Sequence, residues 1–434
     1  MRTVTLKNAK DLKKLERELR AHAAPAPAQE RAVAGILRSV ARGGDRALLA
    51  LARRFDGFRG GPKDLFLTRA QFRAARAGVD RAFVHAVETA IANIRAYQLR
   101  LKPKSWRAHL RSGVLLGQAA RPMRRVGLYV PGGEAPLVST VLMTAVPAAV
   151  AGVPGLVLAT PDRFGKGIDP RLVVAAELAG VREILRVGGA QAIAALAYGT
   201  ESVAAVDKIV GPGNSWVSLA KKQVFGVCGI DMVAGPSEAL VLADDSAPPA
   251  WVAADLLSQA EHAGDETAML VTPSARLARE ALAALQSQLK VLPRRAIAES
   301  SLKRHGLVVV TRDLAQAVAV ANLAAPEHLQ LMVRDAESLL PRLTAAGAIF
   351  VGHYTPVALG DFLAGPSHVL PTGSTARFSN GLSVEDFVTR SSIIGYSRGA
   401  LEAALPALEA IGGAEGLQAH VASAQVRRRG AGRT

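Results

Sequence analysis

Three glycine-rich turns, each between a short apolar run and an Ala-rich stretch, constrain the fold of this chain most. They are Pro131-Gly132-Gly133, Gly188-Gly189-Ala190-Gln191 and Gly211-Pro212-Gly213-Asn214. The apolar runs predict buried strands, and the stretches after the turns predict helices. Strands that alternate with helices favour a doubly wound α/β fold built on a parallel sheet. Further strands are predicted at 239–243, 267–271, 307–311 and 348–351.

The composition is that of a large globular protein. With 434 residues, the chain is expected to divide into two or more domains. Its single cysteine, Cys228, excludes an intramolecular disulfide framework and a zinc site made of several cysteines. The formal net charge of +17 suits either a nucleic acid or an anionic cofactor such as a dinucleotide. Most arginines are scattered through Ala-rich segments, which indicates a solvated surface.

The sequence shows neither a targeting signal nor a membrane span. The N-terminal residues lack the apolar core and cleavage site of a signal peptide. The longest apolar stretch, residues 137–158, is interrupted by Pro147, Gly152, Pro154 and Gly155. It therefore predicts a helix, a loop and a strand. We expect a cytoplasmic protein with neither a membrane nor a nucleic acid as its partner.

Helices and one long loop are predicted outside the glycine-rich region. A strand at 2–6 and a charged helix at 10–22 come first, followed by two helices on either side of Gly43-Gly44. A long helical stretch is predicted at 68–101, and later helices at 251–263, 275–289, 314–323, 336–343, 399–409 and 416–426. Residues 353–380 are rich in Gly, Pro, Ser and Thr, and irregular loops of that length are usually functional.

The glycine-rich turns are candidates for binding a nucleotide. Glycines let backbone N–H groups approach a phosphate, and a helix N-terminus adds favourable partial charge. In open α/β sheets, ligands bind where the strands end. Tyr129, Gln191 and Asn214 would be polar contacts in such a crevice. None of the turns is a complete dinucleotide fingerprint, and each would also serve as an ordinary connection between a strand and a helix.

Gln259 and His262 are a candidate pair of metal ligands. They stand three residues apart at the end of an apolar, Ala-rich helix, which places both side chains on one face. Neutral imidazole is a common ligand of transition metals, whereas an amide oxygen is an unusual one. Taken alone, the pair suits the polar last turn of a surface helix that ends at Gly264 better than it suits a metal site.

Glu327 and His328 are the candidate acid–base pair. Histidine is the natural general base near neutral pH, and glutamate can polarise a water molecule. The preceding Pro326 fixes the local backbone, so both side chains can reach one cavity from a helix end or a turn. A surface turn is the alternative interpretation of the same residues.

The remaining candidates are isolated polar residues in apolar or glycine-rich surroundings. Asp361 stands between apolar neighbours, where a carboxylate is costly unless it is paired or binds a metal. His368 follows a Gly-Pro-Ser segment, and Glu415 and His420 lie five residues apart across a predicted helix start. Ser237 lacks the nucleophile motif of hydrolases, which favours a hydrogen-bonding role.

Together these segments resemble the histidinol dehydrogenase family, over nearly the whole chain and at the family's spacing. The matching stretches are VGLYVPGG at 126–133, APLVSTVLM at 135–143, VGGAQ at 187–191, GPGN at 211–214, GIDMVAGPSE at 229–238, DLLSQAEH at 255–262, APEHL at 325–329, HVLPT at 368–372, GLSV at 381–384 and AEGLQAH at 414–420. This joint pattern is far more specific than any of its parts.

The resemblance implies an enzyme that oxidises L-histidinol to L-histidine through histidinaldehyde, in two NAD-dependent steps. It implies a zinc-dependent homodimer in which the C-terminal domain of each subunit completes the active site of the other. The zinc ligands would be Gln259, His262, Asp361 and His420. His328 would be the general base, and Glu327 would activate water.

The resemblance also implies the remaining contacts and the domain layout. Ser237, His368 and Glu415 would contact the substrate together with the zinc ligands and His328, and Tyr129, Gln191 and Asn214 would line the NAD crevice. The fold would comprise two doubly wound, aldehyde-dehydrogenase-like domains of the incomplete Rossmann type with small appendages. The expected parts are an N-terminal appendage (1–24), a metal and catalytic domain (25–128 with 239–381), an NAD-binding domain (129–238) and a C-terminal helical domain (382–434).

Other functions remain compatible with the residues alone. A zinc hydrolase would use the metal and Glu327 to activate water, and its glycine-rich crevices would be incidental. A nucleic-acid-binding protein would use the net charge, although no aromatic platform supports it. A relative with the same fold could oxidise another amino alcohol, and the ligand set would also suit manganese or cobalt.

Overall fold

The structure is a computed structural model that describes residues 1–19, 26–132, 136–162, 167–261 and 264–428. The predicted ligand His262 and the last residue of the first glycine-rich turn, Gly133, lie outside these ranges. The chain forms two compact units. The larger unit combines Met1–Leu101 with Met123–Phe387, and the smaller combines Lys102–Pro122 with Val388–Thr434.

The described strands, in chain order, are β1 (Arg2–Thr5), β2 (Trp106–Arg111), β3 (Val114–Pro122), β4 (Arg125–Tyr129), β5 (Gly155–Ala159), β6 (Glu183–Leu185), β7 (Lys208–Val210), β8 (Gly229–Ile230), β9 (Glu238–Ala243), β10 (Thr267–Thr272), β11 (Leu307–Val310), β12 (His328–Met332), β13 (Ala348–Val351) and β14 (Val388–Tyr396).

The described α-helices are α1 (Ala9–Leu19), α2 (Pro27–Asp56), α3 (Arg69–Ala77), α4 (Arg81–Leu101), α5 (Val138–Ala151), α6 (Pro170–Leu178), α7 (Gly189–Tyr198), α8 (Ser215–Val224), α9 (Pro249–Ala260), α10 (Ala275–Leu289), α11 (Arg295–His305), α12 (Leu314–Ala324), α13 (Val357–Phe362), α14 (Arg398–Ala414) and α15 (Gln418–Arg428). Short 3₁₀ helices occur at Pro62–Asp64, Glu337–Arg342, Thr375–Arg377 and Val384–Phe387.

The first sheet of the larger unit has five parallel strands in the order β6-β5-β4-β7-β8. The chain adds β5 and β6 on one side of β4 and then returns to add β7 and β8 on the other. The strand order therefore reverses between β4 and β7, and such a reversal opens a crevice at the carboxyl edge of the sheet. Helices α5 and α6 pack together, and α2, α7 and α8 form another group.

The second sheet of the larger unit has six parallel strands in the order β1-β11-β10-β9-β12-β13. Its order reverses between β9 and β12. One apolar cluster joins this sheet to α9, α10 and α11, and a second joins it to α1 and α12. Both clusters consist mostly of Ala, Val and Leu, which suits a chain with 4% aromatic residues. The predicted α/β fold with parallel sheets is confirmed.

The smaller unit contains a three-stranded antiparallel sheet in the order β14-β3-β2. Helices α14 and α15 pack against each other. Ser397 begins α14 because its hydroxyl accepts a hydrogen bond from the backbone N–H of Ala400. We expected only helices beyond residue 382, but β14 precedes them. This strand is mostly exposed on both faces and so lacks the alternation that identifies a strand.

Several predicted elements differ in detail from the structure. The helices predicted on either side of Gly43-Gly44 form α2, in which Gly44 alone has non-helical angles, φ 51° and ψ −140°. The stretch at 68–101 divides into α3 and α4, and α3 is capped by Gly78. The helix predicted at 336–343 is a 3₁₀ helix, and β12 was not predicted. Among the described residues, no helix is both long and apolar enough to cross a membrane.

Candidate active site

The predicted acid–base pair lies at the amino edge of the six-stranded sheet. Glu238 begins β9 and His328 begins β12, and these strands are neighbours, with His328 opposite Ala239. Open α/β sheets usually bind ligands at the opposite, carboxyl edge. At the amino edge, however, the crossover helices end, and a helix C-terminus carries partial negative charge that favours a cation.

Glu327 is a buried carboxylic acid with a raised pKa. The residue is 5% exposed, and its Oε2 accepts the backbone N–H of Glu238 at 2.9 Å. Burial raises the pKa of this carboxyl well above its usual range, and the neighbouring carboxylates of Glu238 and Asp361 raise it further. Hydrogen bonds from the Glu238 N–H and the Ser237 side chain oppose these effects. A carboxyl with a raised pKa binds a proton more readily than an ordinary one, which suits a proton-transfer group.

His328 is held so that one ring nitrogen can act as a base. Nδ1 lies 3.1 Å from the carbonyl oxygen of Glu238, and Nε2 lies 3.8 Å from Oδ1 of Asp361. If Nδ1 donates its proton to the carbonyl oxygen, Nε2 is the basic nitrogen. The ring also packs against Phe350, with centroids 5.9 Å apart. Backbone and packing therefore fix the orientation that a general base requires.

Asp361 and His368 join this group from the long loop region. Asp361 lies on the short helix α13, and its side chain is 23% exposed. The carbonyl oxygen of Asp361 lies 3.1 Å from Nδ1 of His368, and Nε2 of His368 lies 3.4 Å from the hydroxyl of Thr140. The structure thus brings together Asp361, His328, Glu327, Ser237 and His368, which the sequence separates by up to 131 residues.

Gln259 lies in the last turn of α9, at the same edge of the sheet, and is 3% exposed. Its Nε2 is buried and has no hydrogen-bond partner among the described residues. A buried amide almost always has a partner, and the amide can be rotated to present its oxygen instead. The side chain therefore fits a ligand of a group bound at the end of α9.

The described residues do not by themselves complete a metal site. Within the described ranges, no group of three or more His, Cys, Asp or Glu side chains could hold a metal ion. The amide oxygen of Gln259 and the carboxylate of Asp361 are ligand types that suit a divalent cation. In the smaller unit, Glu415 caps the C-terminus of α14, His420 lies in α15, and both are exposed within that unit.

The predicted cofactor residues lie at the carboxyl edge of the five-stranded sheet. Tyr129 ends β4, and its hydroxyl accepts the backbone N–H of Gly189 at 2.9 Å. Asn214 follows β7 and caps α8, where its side chain accepts the N–H groups of Trp216 and Val217. The carboxyl ends of β4 and β7 therefore lie side by side at the point where the strand order reverses.

Gln191 is buried and bonded within the protein. Its Nε2 donates to Oδ2 of Asp56 at 3.2 Å, and the same carboxylate oxygen accepts the N–H of Gly188 at 3.1 Å. Asp56 thus satisfies a backbone donor at the start of α7, where negative charge is favoured. In this structure Gln191 hydrogen-bonds the carboxylate that holds the second glycine-rich turn.

Sequence reasoning missed the residues that support these sites. Lys221 and Asp231 form a buried ion pair, with side chains 2% and 1% exposed. Asp231 accepts the N–H of Gly211 at 2.7 Å, and Lys221 donates to the carbonyl oxygen of Gly211 at 2.8 Å. Glu238 stands in a matching stretch, but only the sheet places it against Glu327. Lys221 follows the apolar pair Leu219-Ala220 in α8, and this position was the available signal.

Glu238→Gln should weaken the pH dependence of stability. Burial raises the pKa of Glu238 from 4.5 to about 7. Between these values the folded protein binds more protons than the unfolded protein, so its free energy of unfolding falls as pH rises. Glutamine does not titrate and should remove this contribution, on the order of 3 kcal/mol. Glu327 titrates with the same sign, so some slope should remain.

Urea unfolding of the metal-free protein from pH 4 to 8 measures this slope. The matched control is Glu88→Gln on the exposed surface of α4, which also removes one acidic group. An equally steep slope in the Glu238→Gln variant and the wild type would contradict the buried environment of Glu238.

Comparison with known proteins identifies the family. A family model described as histidinol dehydrogenase matches residues 20–428. The histidinol dehydrogenase of Syntrophotalea carbinolica is 50% identical over 403 residues, which cover 93% of each chain. That of Gloeobacter violaceus is 47% identical over 408 residues, covering 94% of this chain and 92% of the relative.

A solved structure agrees with this relationship. The crystal structure of histidinol dehydrogenase from Elizabethkingia anophelis has a TM-score of 0.94 to this chain at 34% sequence identity. The match covers 99% of this chain and 98% of that one. The chain therefore belongs to the histidinol dehydrogenase family, whose name describes oxidoreductases of histidine biosynthesis.

Proposed function

We propose that this chain is a zinc-dependent enzyme that oxidises L-histidinol to L-histidine through histidinaldehyde with two molecules of NAD. The observation that carries the proposal is the buried group at the amino edge of the six-stranded sheet. There, Nε2 of His328 lies 3.8 Å from Asp361, and the raised pKa of Glu327 provides a second proton-transfer group. Two different proton acceptors suit two successive oxidations.

The zinc ion would be held by Gln259, His262, Asp361 and His420 of the partner subunit. This assignment is supported by the buried Nε2 of Gln259, which has no hydrogen-bond partner among the described residues, and by the Asp361 carboxylate beside His328. A zinc ion with nitrogen and oxygen ligands would supply a Lewis acid that binds the nitrogen donors of the substrate. Positive charge near Asp361 would also offset the carboxylate repulsion that raises the pKa of Glu327.

In the first oxidation, His328 accepts a proton at Nε2. The proton comes from the alcohol of the substrate while a hydride leaves the same carbon for NAD, which gives the aldehyde. The carbonyl oxygen of Glu238, 3.1 Å from Nδ1, stabilises the imidazolium that forms. Ser237, whose side chain hydrogen-bonds Glu327, and His368, which lies beside Asp361, would contact the substrate.

In the second oxidation, Glu327 accepts a proton from a water molecule as its oxygen adds to the aldehyde carbon. A second hydride then leaves that carbon for another NAD, and the acid is released. Because Glu327 is 5% exposed, the water that it activates is separated from bulk solvent. The hydrogen bond from Glu238 N–H orients the carboxylate for this transfer.

The cofactor would lie in the crevice of the five-stranded sheet, against Tyr129, Gln191 and Asn214. Bound NAD would supply the hydride acceptor. The reversal of strand order between β4 and β7 supports this location. Asn214 begins α8, whose N-terminal partial charge favours a pyrophosphate.

The active enzyme would be a homodimer in the cytoplasm. Glu415 of the partner subunit would contact the substrate, and the exposure of Glu415 and His420 within the smaller unit suits this role. Cys228, free and buried, fits a reducing compartment. Burial raises the pKa of its thiol to about 12, so it is a packing residue, not a nucleophile.

The direct test mixes purified, zinc-supplied protein with L-histidinol and NAD. We expect NADH absorbance to grow with enzyme concentration, and a chelator to abolish it. A panel of other amino alcohols should react more slowly. Absence of NADH from L-histidinol would overturn the proposal. Faster reaction of another amino alcohol would identify that alcohol as the substrate in place of L-histidinol. NAD binding by calorimetry separates the dehydrogenase from a zinc hydrolase.

A further inference from the structure

A buried polar side chain and a half-buried one are hydrogen-bonded to each other between α9 and the six-stranded sheet. Gln330, on β12, is 1% exposed, and its Nε2 donates to Oδ2 of Asp255, on α9, at 2.6 Å. The apolar cluster around them includes Val241, Leu256 and Met332. Oε1 of Gln330 has no hydrogen-bond partner among the described residues. The pair is therefore an incompletely satisfied polar contact in an otherwise apolar layer.

Both members stand beside predicted active-site residues. On a strand, alternate residues share a face, so Gln330 points to the same side of the sheet as His328. On a helix, residues four apart share a face, so Asp255 lies one turn before Gln259. The hydrogen bond therefore joins the helix that carries Gln259 to the strand that carries His328, four residues from Gln259 and two residues from His328.

Stability alone does not explain this pair. Burial raises the pKa of the Asp255 carboxyl to about 6, which reflects the cost of its ionised form. Apolar side chains of similar volume commonly replace a buried polar pair with little loss of stability, or with a gain. An apolar replacement would lack the directional contact between helix and strand that the hydrogen bond provides.

We propose that Asp255 and Gln330 are positioning residues, which fix the end of α9 and thus the Gln259 amide relative to His328. This inference rests on the proposed function, in which Gln259 binds zinc and His328 is the base. Groups that orient metal ligands typically contribute a factor of 10 to 100 in metal affinity or activity. The pair therefore couples the metal site to the base without touching substrate.

The test compares four variants with the wild type. Gln330→Met and the double variant Asp255→Leu with Gln330→Met both remove the hydrogen bond. Asp255→Asn keeps the size of the side chain and an oxygen that can accept the hydrogen bond from Gln330. Gln288→Met is the matched control, because Gln288 donates to the carbonyl oxygen of Ala250 at 2.8 Å, near the other end of α9.

The readouts are zinc affinity by chelator competition, urea unfolding, and the KM and kcat of NADH formation. We expect both variants that remove the bond to bind zinc 10- to 100-fold more weakly and to lose kcat. The double variant should nevertheless unfold at a urea concentration close to that of the wild type. Asp255→Asn and Gln288→Met should keep zinc affinity within about threefold.

The outcomes separate this inference from the proposed function. Wild-type zinc affinity and kcat in the double variant would overturn the positioning role. A loss of zinc affinity that follows the loss of stability across all variants would also overturn it, because packing would then suffice as the cause. If wild-type protein forms no NADH from L-histidinol, the proposed function fails, and zinc affinity still decides whether the pair positions Gln259.

Discussion

Replacing His328 with asparagine should lower kcat for L-histidinol oxidation by about 10²- to 10⁴-fold, the usual contribution of a general base. Asparagine can still donate a hydrogen bond to the Glu238 carbonyl oxygen, which lies 3.1 Å from Nδ1 of the histidine. It cannot accept the alcohol proton. Because His328 is not among the proposed metal ligands, zinc content should be unchanged.

Steady-state NADH formation and metal analysis of the same preparation measure this effect. The matched control is His85→Asn on the exposed surface of α4, which should keep wild-type kcat. Supplying histidinaldehyde in place of histidinol bypasses the first oxidation, so the loss should be much smaller there. A wild-type kcat with histidinol would remove His328 from the proposed role.

Lys221→Met should lower the free energy of unfolding by about 3–5 kcal/mol, the usual cost of removing one partner from a buried ion pair. Asp231, whose side chain is 1% exposed, would keep a charge without its counterion. The carbonyl oxygen of Gly211 would also lose its donor at 2.8 Å. Since Gly211 begins the turn that we assign to NAD, KM for NAD should rise as well.

The neighbouring Lys222→Met is the matched control. Lys222 is 56% exposed on its side chain and lies 3.6 Å from Glu30, and exposed ion pairs contribute at most about 1 kcal/mol. Replacing Asp231 with asparagine in the Lys221→Met background should recover much of the lost stability, because the amide is uncharged and its oxygen can still accept the N–H of Gly211. Equal destabilisation by the two lysine substitutions in urea unfolding would contradict the buried pair.

The sequence predicted the α/β class because its glycine-rich turns follow short apolar runs. The turn at Gly211–Asn214 is an example, since Asn214 caps the helix that follows it. The two parallel sheets follow from the same alternation of strands and helices. The order of strands within each sheet did not follow, because it depends on contacts between distant segments.

β12 shows why the position of the candidate site was harder to predict. The sequence after Glu327 is short and apolar, so it does not distinguish a strand from part of a helix. The structure makes it a strand beside β9, and this pairing brings Glu238 to Glu327 across 89 residues. Gln330 and Asp255 meet across 75 residues for the same reason.

The individual site residues were predicted largely from the family resemblance. Asp361 was suspected from its apolar neighbours, and the structure places it beside His328. Gln259 was expected at a helix end, and it lies in the last turn of α9. No local sequence signal predicted that Glu238 supports Glu327. The pKa and the contacts of Glu238 arise from burial among segments far apart in the chain.

The number of NADH molecules formed per L-histidinol distinguishes one oxidation from two at this site. Zinc-loaded protein is given a limiting amount of L-histidinol with excess NAD, and NADH and the organic product are measured at completion. Two NADH per histidinol, with L-histidine as product, are predicted, because His328 and Glu327 serve successive oxidations at one site. One NADH with accumulated aldehyde, or none, would contradict the account.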